Sequence, residues 1–249
     1  MLKEERQDRI LKRITIDARV YVTALSAELG VSDDTVRRDI AELESRGLLT
    51  KVHGGAIARS GISIEFTERL NTDMAMKRSL VNKLVAMFNE GDVILIDGGT
   101  ANLELVKALP DDKHFVVVTN SIPIASELST HRNIETTMIG GKIIGPSQVT
   151  AGIMASRAIE NIYPDWTIVG VSDIHPEKGL MTTIQEESLM KRCFIEQGSK
   201  RVVIATSNKL NTADHYRFGS LSEIDYLVVE DSRRPEILTT WPCYRYTVL

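Results

Sequence analysis

Two sets of residues in this sequence have the types and spacing that do chemistry. Ser32, Thr35, Arg37, Arg38, Lys51 and His53 put hydroxyls and cations close together near the N-terminus. These are the groups that reach phosphate oxygens and the edges of guanine. Further on, Asp97, Gly98, Gly99, Thr100, Asn120, Ser121, Gly140, Gly141, Asp173, Glu187, Lys191 and Lys209 recur just beyond or between short apolar runs. Glycines with a hydroxyl before a helix offer free amides to an anion, and the polar and charged residues offer hydrogen bonds to a small polar molecule. The two cysteines, Cys193 and Cys243, and the five histidines show no metal-ligand spacing. No metal, cofactor or catalytic residue is expected, and both cysteines read as structural.

The first set needs a helix to present it. Ser32 stands at an N-cap position with its hydroxyl in reach of the Thr35 amide, and Asp33 and Asp34 add negative charge to the first turn. Val36, Ile40 and Leu43 then make one apolar stripe, with Asp34, Arg38, Ala41 and Ser45 on the opposite face. That outer face is short-chained apart from Arg38, so the helix can approach another surface closely. A first helix is expected over about 3–15, with Ile10, Leu11 and Ile14 inward, and a second over Thr23 to Leu29 with Thr23 as its cap. Gly30 and Val31 form the turn between the second helix and the third. Gly47 suits a left-handed C-cap; Leu48 to Val52 and Ala56 to Ala58 read as a hairpin around His53-Gly54-Gly55, a wing with Lys51 and His53 at its tip. An arginine pair alone is more often a solvated face, and three helices with a hairpin could dock a protein. The capped helix, small outer face and Gly-Gly wing together favour a winged helix-turn-helix that binds DNA.

Ser60-Gly61-Ile62-Ser63 is a small-residue joint, which sets the expected domains at 1–60 and 61–249. Phe66 to Phe88 looks mainly helical, with Arg69, Lys77 and Lys83 exposed. Beyond Gly91, β-rich runs alternate with helices: Val93 to Ile96, Phe115 to Val118, Thr137 to Ile139, Thr167 to Val171, Val202 to Ala205 and Tyr226 to Val229. This alternation indicates an α/β domain with a largely parallel sheet, whose ligands gather at the carboxyl ends of the strands. Asp97-Gly98-Gly99-Thr100, Thr119-Asn120-Ser121, Gly140-Gly141-Lys142 and Gly170 to Asp173 sit at four consecutive strand ends. Glu187 and Lys191 are spaced i, i+4 on a later helix, where the blander reading is a surface salt bridge.

At 249 residues, 43% hydrophobic and 26% charged, the chain has the composition of a globular protein of one or two domains. No apolar run approaches the roughly 20 residues that span a bilayer, and the N-terminus lacks a signal-peptide core, so a cytoplasmic location is expected. The net charge of −4 does not announce a nucleic-acid partner, but residues 1–60 hold 11 Lys+Arg against 10 Asp+Glu while the remainder is acidic. DNA binding therefore rests on where Arg37, Arg38, Arg46, Lys51 and His53 are placed rather than on bulk charge.

Val31-Ser32-x-x-Thr35-Val36-Arg37-Arg38-Asp39-Ile40, Leu43, Gly47-Leu48-Leu49 and Val52-His53-Gly54-Gly55-Ala56 resemble the winged helix-turn-helix of the DeoR family of bacterial transcriptional regulators. The likeness continues through Arg69, Lys77, Asp97-Gly-Gly-Thr, Thr119-Asn120, Gly140-Gly141, Gly170 to Asp173, Gly179-Leu180, Glu187 with Lys191, and Ser207-Asn208-Lys209. It implies a sensor of the ribose-5-phosphate isomerase and CoA-transferase-like fold, with phosphorylated sugars as usual effectors. The expected function is that of a repressor of a sugar or related carbon-metabolism operon. Its partners would be double-stranded operator DNA, a phosphorylated metabolite, and further copies of the chain as a homodimer or homotetramer. Ala101, Thr206 and Asn208 depart from the family's common Thr, Asp and Ser, which bears on the effector's identity. The alternative is a sugar-phosphate isomerase with Glu187 or Asp173 as general base, and a third reading is a scaffold with an unused pocket.

Overall fold

Helix α3 (Asp33–Ser45) starts where the cap chemistry places it: Ser32 is extended, and its Oγ accepts from the Thr35 N–H at 3.3 Å. In this computed structural model the described residues are 2–17, 19–46, 48–58, 66–242 and 245–249. The chain forms two compact units, Met1–Ile64 and Glu65–Leu249. The joint expected at Ser60 to Ser63, the Gly47 cap and Cys243 lie outside the described residues.

In the first unit α1 (Lys3–Asp17), β1 (Arg19–Tyr21), α2 (Val22–Leu29) and α3 are followed by β2 (Leu49–Val52) and β3 (Gly55–Ala58). Val36, Ile40 and Leu43 close on Ile10, Ile14, Leu25 and Leu29, all of them buried. Gly30, at φ 65°, ends α2 in the left-handed region that a turn this tight requires. Two expectations are corrected. Thr23 does not cap α2; the helix begins one residue earlier, because the Val22 N–H already has a partner in the Gly54 carbonyl of the wing turn at 2.9 Å. The wing is also a three-stranded sheet in the order β1-β3-β2, since β1 pairs antiparallel with β3. This explains Gly55, which lies beyond the turn: a Cβ there would sit 1.9 Å from the Val20 carbonyl oxygen.

The second unit opens with α4 (Phe66–Leu70) and α5 (Met74–Val85), two helices rather than one, broken at Asp73 with φ 53°. Then come β4 (Val93–Ile96), α6 (Thr100–Lys107), β5 (Phe115–Thr119), α7 (Ile122–Leu128), β6 (Ile134–Met138) and the hairpin of β7 (Lys142–Ile144) and β8 (Val149–Ala151). Next are α8 (Ile153–Ile159), β9 (Trp166–Val169), β10 (Asp173–His175), β11 (Gly179–Thr182), α9 (Gln185–Gln197) and β12 (Arg201–Ile204). β13 (Tyr216–Gly219), β14 (Tyr226–Val228), α10 (Arg234–Thr240) and β15 (Thr247–Val248) complete it. Seven parallel strands form one sheet in the order β15-β14-β12-β9-β4-β5-β6, and β10, β11 and β13 form a small antiparallel sheet. Side chains alternate across the main sheet. Leu95, Val118, Val169 and Val203 face a core with Ala155, Met190, Phe194 and Ile237, while Ile94, Val117, Ile168 and Ile204 face Leu80, Leu84, Val106 and Ile124. Helices therefore cover both faces, as a parallel sheet requires. The chain lays down β4, β5 and β6 in one direction and β9, β12 and β14 in the other, so the order reverses between β4 and β9. A crevice at the carboxyl ends of those two strands is the expected ligand position.

Gly55→Ala should destabilise the first unit by about 1–3 kcal/mol, since the added methyl meets backbone that cannot move without unpairing β1. Urea denaturation followed by circular dichroism would measure this.

Candidate functional site

Three consecutive residues of α3 take three different positions, as a rotation of about 100° per residue requires. Arg37 is exposed but turned back on its own first turn, 3.4 Å from Asp34 and 3.8 Å from Asp33. Arg38 is exposed and has no partner among the described residues. Asp39 points inward and is buried, taking Arg6 Nε at 2.5 Å and Arg6 Nη2 at 3.2 Å. Gln7 Nε2 also reaches Asp39 Oδ1, at 3.5 Å, and Gln7 Oε1 accepts from Arg46 at 3.3 Å. Lys3 meets Glu42 at 2.6 Å. The recognition helix is thus fixed to α1 by a buried bidentate ion pair as well as by its apolar stripe. The Ser32 and Thr35 hydroxyls are 2.9 Å apart and satisfy each other. Lys51 and His53 are exposed on the wing, which is tied to the end of α3 by the Lys51 N–H on Glu44 Oε1 at 2.8 Å. Sequence reasoning missed the roles of Asp39, Arg6 and Gln7 and gave Arg46 to DNA. The signal was available, because Asp39 falls at i+3 of Val36, on the buried stripe.

In the second unit, Asp97 lies at the switch point, 1% exposed. Its Oδ2 accepts the Gly170 N–H at 3.1 Å, across from β9, and the ammonium of Lys191 from α9. Asn102 Nδ2 holds the Asp97 carbonyl at 2.9 Å and the Gly98 carbonyl at 3.3 Å, fixing the turn into α6. Lys191 also lies 5.9 Å from the centre of the Phe218 ring. Glu187 and Lys191 are both buried and have separate partners: Glu187 Oε2 takes the Thr182 hydroxyl at 3.4 Å. The surface salt bridge weighed for them is therefore excluded.

Lys209 Nζ donates to the Val171 carbonyl at 2.6 Å. Burial, together with the nearby charges of Arg69, Lys77 and Lys191, lowers its pKa to about 7, against the pull of Asp173. Lys77 is not exposed as expected: it is 6% exposed, donates to the Arg69 carbonyl at 2.8 Å, and is pulled below its usual pKa mainly by burial. Lys83, also expected exposed, is half-buried and pairs with Asp231. Burial pushes the Asp173 carboxyl up, with Asp214 adding to the effect and Thr212 opposing it by a hydrogen bond. Four cations thus gather near Asp173 and near Asp97, which Lys191 already holds, with the buried carboxylate of Glu187 one turn from Lys191.

The strand ends are not equivalent. The position of a Cβ on Gly98 lies 3.8 Å from Ser121, so the β4 and β5 ends meet. Gly99, at φ 135°, leads into α6, whose first residue, Thr100, is buried. Asn120 Nδ2 donates to the Thr150 carbonyl at 3.1 Å. Gly140, in contrast, is exposed with nothing near it, and Gly141 packs against the Ala151 carbonyl of β8. The end of β6 is occupied by the β7–β8 hairpin, an element the sequence reading did not foresee. An open groove of about 470 Å³ lined by Phe66, Leu103, Lys107, Ile122 and Gln148 contains none of the expected effector residues.

A winged helix-turn-helix with Arg38 exposed on its third helix, in one chain with an α/β unit that gathers cations at its switch point, has the make-up of a DNA-binding regulator with a sensor domain. Residues 6–61 match the DeoR-like helix-turn-helix domain and residues 72–231 the DeoR C terminal sensor domain. The chain belongs to the DeoR family of transcriptional regulators. It is 32% identical to the HTH-type transcriptional regulator GlpR of Haloferax volcanii over 92% of this chain and 91% of that one. It is 28% identical to the HTH-type transcriptional repressor GlcR of Bacillus subtilis over 92% and 89%, and 27% identical to the lactose phosphotransferase system repressor of Staphylococcus aureus over 97% and 98%. Solved structures overlap it loosely. The full-length sorbitol operon regulator SorC of Klebsiella pneumoniae has a TM-score of 0.41 at 12% identity, covering 88% of this chain and 94% of that one. Ribose 5-phosphate isomerase A of Methanocaldococcus jannaschii has 0.42 at 11%, covering 55% of each. Family membership sets the isomerase alternative aside: the chain is a regulator and not an enzyme. Among the described residues no helix is long and apolar enough to cross a membrane, and no group of side chains is arranged to hold a metal.

Asp39→Asn leaves the Arg6 guanidinium without its buried counter-charge and should cost about 3 kcal/mol, read as a lower urea midpoint for the first unit.

Proposed function

We propose that this chain is a cytoplasmic repressor of a sugar or related carbon-metabolism operon, and that a phosphorylated sugar lowers its affinity for operator DNA. The observation that carries this reading is the gathering of Arg69, Lys77 and Lys191 around a buried Lys209, whose pKa is lowered to about 7 first by burial and then by these neighbouring charges. A crevice that discourages its own lysine from carrying charge is one that an anion would relieve. The names of the relatives, a lactose phosphotransferase system repressor among them, support the same class of pathway. The effector would lie among Asp97, Gly98, Gly99, Thr100, Asn120, Ser121, Asp173, Glu187, Lys191 and Lys209, with Gly140 and Gly141 at its margin.

On DNA, Arg38 and Thr35 would face the major groove, and Ser32, Arg37, Lys51 and His53 the phosphates. Arg37 must then exchange Asp33 and Asp34 for a phosphate, and Thr35 must release Ser32. One such helix reads too few bases for useful selectivity, so the operator would carry paired half-sites bound by a homodimer or homotetramer. An effector that weakens binding about 100-fold must favour the poorly binding arrangement by about 2.7 kcal/mol.

Arg38→Ala, at a partnerless exposed residue, should leave the unfolding midpoint unchanged, weaken the preferred duplex by about 1–3 kcal/mol and narrow the gap to scrambled duplex. Mobility shifts with the DNA upstream of the chain's own gene read this. Equal affinity of wild type and variant for both duplexes would remove the reading.

The pH response follows from Lys209. In the free protein it loses its proton above about pH 7, whereas the unfolded chain keeps it to near 10.5. Stability should therefore rise with pH between those values, because the unfolded state binds more protons there. A phosphate bound beside Lys209 favours the ammonium, so binding takes up a proton and affinity should fall by up to about tenfold per unit above pH 7. Calorimetry in buffers of different ionisation enthalpy measures the uptake, and Lys209→Arg, charged throughout, should flatten the fall.

A further inference from the structure

Three buried oxygens beside the cation cluster have no hydrogen-bond partner: Asn120 Oδ1, Ser121 Oγ and Glu187 Oε1. Their residues are 1%, 0% and 6% exposed. Unsatisfied polar atoms this deep are rare in native proteins, and three of them at the end of β5 and on the first turn of α9 call for a partner. Of the other unpartnered side-chain oxygens, Thr136 is in β6, Thr167 is in β9, and Glu230 Oε2 belongs to a carboxylate whose Oε1 takes the N–H of Ser207, two residues before Lys209, at 2.9 Å.

Two of the three can only accept, and the Ser121 hydroxyl can accept or donate. Asn120 commits its amide nitrogen to the Thr150 carbonyl, so the oxygen is the end it presents. Glu187 commits Oε2 to Thr182 and presents Oε1. Both accept and neither donates, so this wall repels a phosphate and calls for hydrogen-bond donors. A chain of contacts connects these oxygens to the cations. Glu187 lies one turn before Lys191 on the same face of α9, Lys191 grips Asp97, and Gly98 follows Asp97 against Ser121. An ammonium donor would face the Lys191 charge one turn away, whereas a hydroxyl would not.

We infer that Glu187 is the residue that sets effector specificity. Its Oε1 accepts from a ligand hydroxyl, with Asn120 Oδ1 and Ser121 Oγ meeting neighbouring hydroxyls, so the site selects among phosphorylated ligands by their hydroxyl pattern. The ligand lies with its phosphate toward Arg69, Lys77 and Lys209 and its hydroxyls toward Glu187. This rests on the reading of the cation cluster as the phosphate seat. A site built around buried acceptors rejects phosphates that lack hydroxyls, because those acceptors would then stay unpaired.

The test is calorimetric titration of the full-length chain with inorganic phosphate, 2-phosphoglycolate, ribose 5-phosphate, fructose 1-phosphate, glucose 6-phosphate and glucosamine 6-phosphate. The wild type should bind at least one of the neutral sugar phosphates about 100-fold more tightly than inorganic phosphate or 2-phosphoglycolate. Glu187→Gln should weaken that sugar phosphate by about tenfold or more and change inorganic phosphate less than twofold, while Lys209→Met weakens both. Ser121→Ala removes a hydroxyl that has no partner in the fold and so leaves folding intact; it should weaken the sugar phosphate alone by about fivefold. Glu187→Gln acting equally on all probes, or on none, overturns the assignment to Glu187. Preference for glucosamine 6-phosphate overturns the hydroxyl class. Phosphate bound as tightly as every sugar phosphate overturns the hydroxyl wall but leaves the phosphate seat standing, whereas no binding by any probe removes the seat and the wall together.

Discussion

A single carboxylate, Asp97, joins the two halves of the sensor sheet at the point where they diverge. It ends β4, takes a backbone amide from the turn after β9, and neutralises Lys191 of α9. A buried ion pair gives little net stability, because desolvating both partners offsets most of the attraction; what it does give is position. With Asp97 in place, Lys191 is held at the carboxyl edge of the sheet beside Lys209, and α9 keeps Glu187 on the same side. The Asp97–Lys191 pair cancels one charge of the cluster. Arg69, Lys77 and Lys209 then face one another with Asp173, whose carboxyl burial pushes toward its neutral form.

The DNA-binding unit uses the same device with the opposite outcome for exposure. Asp39 is buried against Arg6, which fixes the rotation of α3 about its own axis. Once that rotation is set, Arg38, one residue away, can only point outward. An ion pair on the inner face therefore determines which arginine of the pair is available to a groove, while Arg37 is restrained by the acidic first turn. Apolar packing by Val36, Ile40 and Leu43 would tolerate some rolling of the helix; a bidentate guanidinium–carboxylate contact tolerates far less.

What was legible in the sequence is what is local. The Ser32 cap, the stripe along α3, the existence of a turn at His53-Gly54 and the alternation of strands and helices each follow from residues within a few positions of one another, although the second wing strand starts at Gly55, one residue before the expected Ala56. The errors come from partners distant in sequence. Thr23 would have capped α2, but the Gly54 carbonyl already holds the first amide. β1 is too short to show a periodicity and exists because β3 pairs with it. The partner of Lys191 is 94 residues away, and the spacing to Glu187 suggested a pair that the fold does not make. Lys77 looked like a solvated lysine because nothing nearby in sequence announces the Arg69 carbonyl it serves. Asp39 is different: a charge on an apolar stripe is visible without coordinates, and it should have been taken as a sign of a buried partner.

The cluster also has a covalent route to the DNA-binding unit. Arg69 and its partner Lys77 belong to α4 and the start of α5, and α4 is the first described element after the residues that join the two units. Lys77 holds the Arg69 carbonyl, near the end of α4, through an ammonium that burial has made less willing to stay charged. Under the proposed function, an anion at these two side chains would favour the charged form of Lys77 and compete for its hydrogen bond to the Arg69 carbonyl in α4. Lys191 and Lys209 are tied to the β4 and β9 ends through Asp97 and the Val171 carbonyl, so the same anion also acts on the switch point of the sheet. Differential affinity for two settings of one short helix is sufficient for coupling, because a ligand can shift the equilibrium only by what it gains in one setting over the other. The position of α4 in the chain, between the connection and the cations of the proposed phosphate seat, makes it the element on which that difference would act.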